Sequence, residues 1–150
     1  MPNPVLKPFQ VDEATIRLLD QTQLVQLVKR LVQADLWTAN IPLSAAVGTL
    51  VTNVPDGGED LRVEWRDGPE KSDHIPRRFS IFQMKADSLT NTKLAKEPLS
   101  ADNMFLNPAV QAVINEEGAY ILVTNKTNVT STSRRKSAPA KKPNKAAAKK

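Results

Sequence analysis

The run Ala119-Tyr120-Ile121-Leu122-Val123-Thr124 is almost wholly apolar. A strand with one wet face alternates apolar and polar residues, whereas a near-continuous apolar strand is expected where both faces are covered. The preceding residues predict a helix. Asn107-Pro108 is a good start for one, with Asn as cap and Pro at the first helical position. Ala109, Val110, Val113 and Ile114 form its buried stripe, and Gly118 ends it.

A longer helix is predicted after Asp20, where Gln23 three residues on completes a capping box. Leu24, Leu27, Val28, Leu31 and Val32 recur at three-four spacing and Val25 widens the stripe. Lys29, Arg30 and Gln33 face water, and the helix is expected to end between Asp35 and Trp37. Ahead of it, residues 1–10 hold three prolines and read as an extended lead-in. Residues 11–19 predict a short helix using Ile16, Leu18 and Leu19 as contacts. Residues 41–54 read as a strand interrupted near Gly48, with Val47, Leu50, Val51 and Val54 in the core. Residues 87–106 read as a polar connection containing a helical piece near residues 93–97.

Two short strand patterns occupy the middle of the chain, joined by a loop rich in Gly, Pro and charge at residues 67–78. The first follows the turn Pro55-Asp56-Gly57-Gly58. Side chains alternate between sheet faces, so Asp60, Arg62 and Glu64 share one face while Leu61, Val63 and Trp65 take the other. In the second pattern Phe79, Ile81, Gln83 and Lys85 point together. Paired as a hairpin-like unit, the two bring Asp60 towards Gln83 and Lys85. A carboxylate, an amide oxygen and an amine on adjacent strands are suited to holding a divalent cation and activating a water beside it. The plain structural alternative is that Asp60 caps a turn while Gln83 and Lys85 form a solvated strand end. The two glycines allow close backbone approach, but the lysine and hydroxyl of a phosphate loop are absent.

Gly58-Glu59-Asp60 with Gln83-Met84-Lys85 resembles the PD-(D/E)xK nuclease superfamily, in its restriction-endonuclease-like branch with a Gly-x-Asp and Gln-x-Lys pair. The wider run through Phe82-Gln83-Met84-Lys85-Ala86 is similar to the nuclease-type effector domains at the N-termini of bacterial antiphage NTPases. The resemblance spans residues 20–125. It implies an α/β, restriction-endonuclease-like core with a central mixed sheet flanked by helices, and the predicted element order agrees with this. It also implies catalysis by Asp60, Gln83 and Lys85, with Mg²⁺ or Mn²⁺ held by Asp60, the Gln83 oxygen and the backbone carbonyl of Met84. DNA is the implied substrate, and a homo-oligomer or a larger defence protein the implied setting. Such nucleases often place an acid on the first helix; the inward polar candidates here are Gln23 and Gln26. Glu59, Asp56 and Glu64 are therefore the alternative ligands. Arg77 and Arg78 precede the lysine strand and are candidates for phosphate contact, at most one of them in the groove of Lys85. Lys93 and Lys96 are further candidates.

Composition changes at residue 126, so the expected divisions are a lead-in (1–19), a core (20–125) and a tail (126–150). The tail is rich in Lys, Ala and Pro, has no large apolar residue after Val129, and is expected to be disordered. Residues 131–150 hold eight bases, among them Arg134, Arg135, Lys136, Lys141 and Lys142, and no acid. Of 21 bases these leave 13 against 16 acids in the other 130 residues, a net of −3. The high pI therefore belongs to a tail of the kind that binds nucleic acid through phosphate charge. Binding through that tail, without catalysis, is the alternative function.

There is no cysteine, which excludes disulfides, thiolate metal sites and cysteine nucleophiles. The single histidine, His74, reads as a solvated loop residue, which makes zinc chemistry an unattractive reading. With no apolar run of about 18 residues and no secretory pattern at the N-terminus, a cytoplasmic chain without a membrane span is expected.

Overall fold

The computed structural model describes residues 11–48, 59–99 and 104–127. Elements follow in the order α1 (Glu13–Arg17), α2 (Gln21–Thr38), a 3₁₀ turn (Leu43–Ala45), β1 (Ala46–Val47), β2 (Leu61–Glu64), β3 (Phe79–Lys85), α3 (Asn91–Lys96), α4 (Pro108–Asn115) and β4 (Ala119–Thr124). The protein is α/β, with a four-stranded mixed sheet ordered β1-β2-β3-β4. The first three strands are antiparallel neighbours, and β4 runs parallel to β3. That return needs a crossover connection, which α3 and α4 provide. Among the described residues no helix is long and apolar enough to cross a membrane.

The local signals at helix starts operate as expected. The Asp20 side chain accepts from Gln23 N–H at 2.8 Å, and Gln23 returns the bond to Asp20 N–H at 3.1 Å. Asn107 accepts from Val110 N–H, with Pro108 in the first turn. The helix ends are built differently from expectation. α4 ends through Glu117, which sits at φ 50°, while Gly118 N–H donates to Val113 O and Glu117 N–H to Ile114 O. This is a Schellman pattern with a non-glycine residue in the left-handed position. Asn40, at φ 55°, does the same for α2, with Ile41 N–H on Leu36 O. Gly118 answers a different requirement: a Cβ there would lie 2.4 Å from Phe79 O.

The alternation of β2 and β3 sorts the core into two layers. Leu61, Val63, Phe82 and Met84 face α2, packing with Leu24, Val25, Val28, Val32 and Leu36. On the opposite face Ile81, Phe79 and Tyr120 pack against Ala109, Ala112 and Val113 of α4. Each fully buried aliphatic side chain contributes about 1.5–3 kcal/mol.

Several expected contacts are corrected. Leu31 and Ile114 lie outside their buried stripes, and Leu18 is 82% exposed, because α1 is only one turn long. Val47 is 64% exposed, since β1 is two residues at the sheet edge. Leu50, Val51, Val54 and the turn at Pro55 lie outside the described residues. β4 is half-buried along its whole length, and among the described residues it pairs with β3 alone. The strand covered on both faces is β3, whose five inner residues are all buried.

Glu117→Gly is expected to stabilise the fold by about 1 kcal/mol by removing a left-handed side chain, and Gly118→Ala to destabilise it. Urea unfolding of both variants measures this; a stabilising Gly118→Ala would contradict the close approach to Phe79.

Candidate active site

The β2–β3 register pairs Leu61 with Phe82, and Asp60 N–H donates to Phe82 O at 3.0 Å. Asp60 therefore lies just past the paired part of β2, at the end of β3 that carries Lys85. The parallel register places Tyr120, Leu122 and Thr124 beside Ile81, Gln83 and Lys85. The strand ends thus bring Asp60, Gln83 and Lys85 to one end of the sheet.

Each side chain there has a defined partner. Asp60 Oδ2 accepts from Met84 N–H at 2.6 Å. The Lys85 amine lies 3.4 Å from Glu97 Oε2, with both side chains partly shielded. Gln83 is buried and its amide can sit two ways. With its oxygen towards Tyr120 it accepts the tyrosine hydroxyl, but that oxygen also faces the Glu97 carboxylate. Turned over, its nitrogen donates to Glu97 Oε2 at 3.3 Å and to the Tyr120 oxygen, and its oxygen accepts from Lys85 Nζ at 3.3 Å. We adopt the second orientation because it matches every donor with an acceptor. Gln83, Lys85, Glu97 and Tyr120 then form one connected network.

Glu97 was not anticipated as a site residue. It follows the last residue of α3, where Thr90 caps the start through Lys93 N–H. Its carbonyl accepts from the Asn107 amide at 3.0 Å, which ties the end of α3 to the start of α4. A sequence pattern marks Glu97 only as the end of a short polar helix; its approach to Lys85 is tertiary. Tyr120 was hidden inside the apolar run, and its role depends on the parallel register. Gln21 was hidden behind the capping box: its amide donates to Met84 O at 2.8 Å and accepts from Ala86 N–H at 3.0 Å.

The other expected ligands and phosphate contacts lie elsewhere. Gln23 is occupied by the helix cap, and Gln26 is exposed, so neither plays the part expected of the first helix. The Met84 carbonyl already accepts from Gln21. Glu59 takes Arg62 in a two-pronged pair at 2.9 and 2.7 Å. That hydrogen bond, opposed by desolvation, holds the Arg62 guanidinium above its ordinary range. Glu64 pairs with Phe79 at the far end of β3, six steps or about 20 Å from Lys85 at about 3.3 Å per residue. Arg77 and Arg78 lie at that same far end, lining a polar cleft of about 430 Å³ with Glu64, Glu116 and Glu117. Arg78 is held there by the Pro69 and Gly68 carbonyls. Neither arginine lies beside Lys85. Lys93 and Lys96 are exposed on α3. Asp56 and the basic residues of the tail lie outside the described residues.

His74 is exposed, as expected. Its backbone N–H donates to buried Asp35 at 3.3 Å, and Ser72 donates to the same carboxylate, so this group anchors the 67–78 loop to α2. An apolar pocket of about 530 Å³ lies between α2 and the sheet, lined by Val28, Val32, Ile75, Phe82 and Val123. It opens on the α2 face, opposite the side chains of Gln83 and Lys85.

Among the described residues no three His, Cys, Asp or Glu side chains form a metal-binding group. The polar side chains at this end of the sheet, Asp60, Gln83 and Glu97, offer oxygen donors. That chemistry fits a hard cation such as Mg²⁺ or Mn²⁺ better than zinc. Compared with protein-family models, curated proteins and solved structures, the chain has no significant match.

Asp60→Ala is expected to cost about 1–3 kcal/mol of stability because it leaves the Met84 N–H without its acceptor. Glu97→Gln is expected to cost less than about 1 kcal/mol, as a partly exposed pair does. Urea unfolding separates the two, and equal losses would contradict the assignment of Asp60 to the strand ladder.

Proposed function

We propose that this chain is a metal-dependent endonuclease with a restriction-endonuclease-like core, cutting the phosphodiester backbone of DNA. The observation that supports the proposal is that Asp60 sits at the end of β3 that carries Gln83 and Lys85, its N–H on Phe82 O and its carboxylate on Met84 N–H. Residues of both halves of the Gly-x-Asp and Gln-x-Lys pair thus lie at one end of the sheet. The setting is a defence effector, alone as a homo-oligomer or within a larger protein.

Phosphodiester hydrolysis needs a delivered water, neutralised charge at the phosphorus and a stabilised leaving oxygen. Asp60 and the Gln83 oxygen would hold the cation, with Glu97 as a further carboxylate within the same network. A bound Mg²⁺ or Mn²⁺ would supply Lewis acidity to the phosphate and the water. Lys85 offers its ammonium hydrogens to the phosphate oxygen that gains charge, or orients the water. Glu97 restrains the lysine until substrate competes for it. Tyr120 fixes the Gln83 amide. Because Gln83 is neutral, the cation should be held weakly, within the millimolar range of Mg²⁺.

The test is incubation of supercoiled plasmid with the protein in Mg²⁺, Mn²⁺ or EDTA. Wild type is expected to nick it only with metal, and Asp60→Ala and Lys85→Ala to lose about 10²–10³-fold in rate, with Lys85→Ala still folded. Full activity in Lys85→Ala would remove the lysine from the mechanism. The engagement of Met84 O by Gln21 and of Lys85 by Glu97 favours one second reading, a nucleic-acid-binding module without catalysis. It would appear as no nicking at all, with a salt-sensitive gel shift that disappears when residues 131–150 are deleted.

A further inference from the structure

β2 pairs with β3 only as far as Leu61 opposite Phe82, yet β3 continues to Lys85. Alternate residues of a strand direct their backbone groups to the same neighbour, so Phe82, Met84 and Ala86 address the β2 side. Past Phe82 O, that side presents Met84 N–H, Met84 C=O and Ala86 N–H, with β2 already ended. Buried backbone groups of this kind require partners, and side chains supply them. Asp60 Oδ2 takes Met84 N–H, Gln21 Nε2 donates to Met84 O and Gln21 Oε1 accepts from Ala86 N–H.

The two groups bound by Gln21 belong to the two peptide planes that flank the Lys85 Cα. One planar amide therefore restrains both backbone torsions of Lys85, and with them the direction in which its side chain leaves the strand. Gln21 is itself well placed to impose this. It is the first residue of α2, its neighbour Asp20 anchors the capping box, and the helix behind it is packed on the core through Leu24, Val25 and Val28.

We propose that Gln21 is a positioning residue that sets the Lys85 amine in the site by completing the β3 ladder on both sides of it. The inference rests on the endonuclease reading above. It assigns Gln21 to backbone geometry, a role separate from cation binding.

The experiment compares wild type with Gln21→Ala in steady-state plasmid nicking, alongside amide hydrogen exchange of the folded proteins. Expected is a fall in kcat of about 10–100-fold, the size of effect a displacement of about 1 Å can produce. KM should stay within about twofold, because DNA binding does not pass through Gln21, and exchange at Ala86 N–H should accelerate. In a Lys85→Ala background, Gln21→Ala should add no further loss, since it acts through the lysine. Gln21→Met, which keeps side-chain length and helix propensity, serves if the alanine variant does not fold. Wild-type kcat in a variant whose Ala86 amide exchanges faster would overturn the positioning role and leave the endonuclease reading intact. A fall in kcat of equal size in both lysine backgrounds would do the same. Absence of metal-dependent nicking in wild type would instead remove the endonuclease reading, and this inference with it.

Discussion

β2 ends before β3 does, and the candidate site lies where the ladder between them gives out. A strand buried on both faces cannot leave its backbone groups unpaired at its end. In this protein the remaining bonds come from a carboxylate at the mouth of β2 and an amide at the first turn of α2. The same geometry that closes the ladder brings Asp60 to the end of β3 that carries Gln83 and holds Lys85 between two restrained peptides. On the other edge β4 continues the pairing to Lys85 opposite Thr124, so the lysine sits on a strand that is anchored along both sides.

This arrangement gives the polar residues of the site two duties. Asp60 completes a strand as well as presenting a carboxylate, so its loss is structural before it is chemical. Gln83 is buried and acceptable there because Tyr120, Glu97 and Lys85 satisfy its amide. The Lys85–Glu97 pair is the looser part of the network, being longer and more exposed. On the proposed function, it is the contact that an anionic substrate or a cation would displace first. The far end of the sheet is kept separate by the length of β3, with Arg78 absorbed into the loop that crosses there.

Much of the architecture was legible because its signals are local. The start of α2 at Asp20 and of α4 at Asn107-Pro108 depend on residues within one turn, and alternation alone sorted Leu61 and Val63 from Asp60 and Arg62. Helix ends were less legible, since Asn40 and Glu117 adopt left-handed conformations that glycine would have announced. The apolar run of β4 predicts a strand covered on both faces, whereas that position belongs to β3. Ser80 and Gln83 disguise it, each buried only because a partner from outside the strand satisfies it. That Gln83 and Lys85 share a face, at the sheet end where Asp60 lies, followed from strand periodicity. Glu97, Tyr120 and Gln21 did not, because their contacts span tertiary distances that no periodicity encodes. The place of Arg77, Arg78 and Glu64 at the Phe79 end was not legible for the converse reason: nearness in sequence to the lysine strand says nothing about which end of it they occupy.

On the proposed function, Asp60 and Gln83 hold a catalytic cation within reach of Lys85. Anomalous diffraction at the manganese edge, from crystals grown with Mn²⁺ and a short DNA duplex, tests it most directly. The account predicts a peak within coordination distance of an Asp60 carboxylate oxygen and the Gln83 amide oxygen, with the DNA backbone beside it. Mn²⁺ bound elsewhere, with Asp60 touching only the Met84 amide, would contradict it.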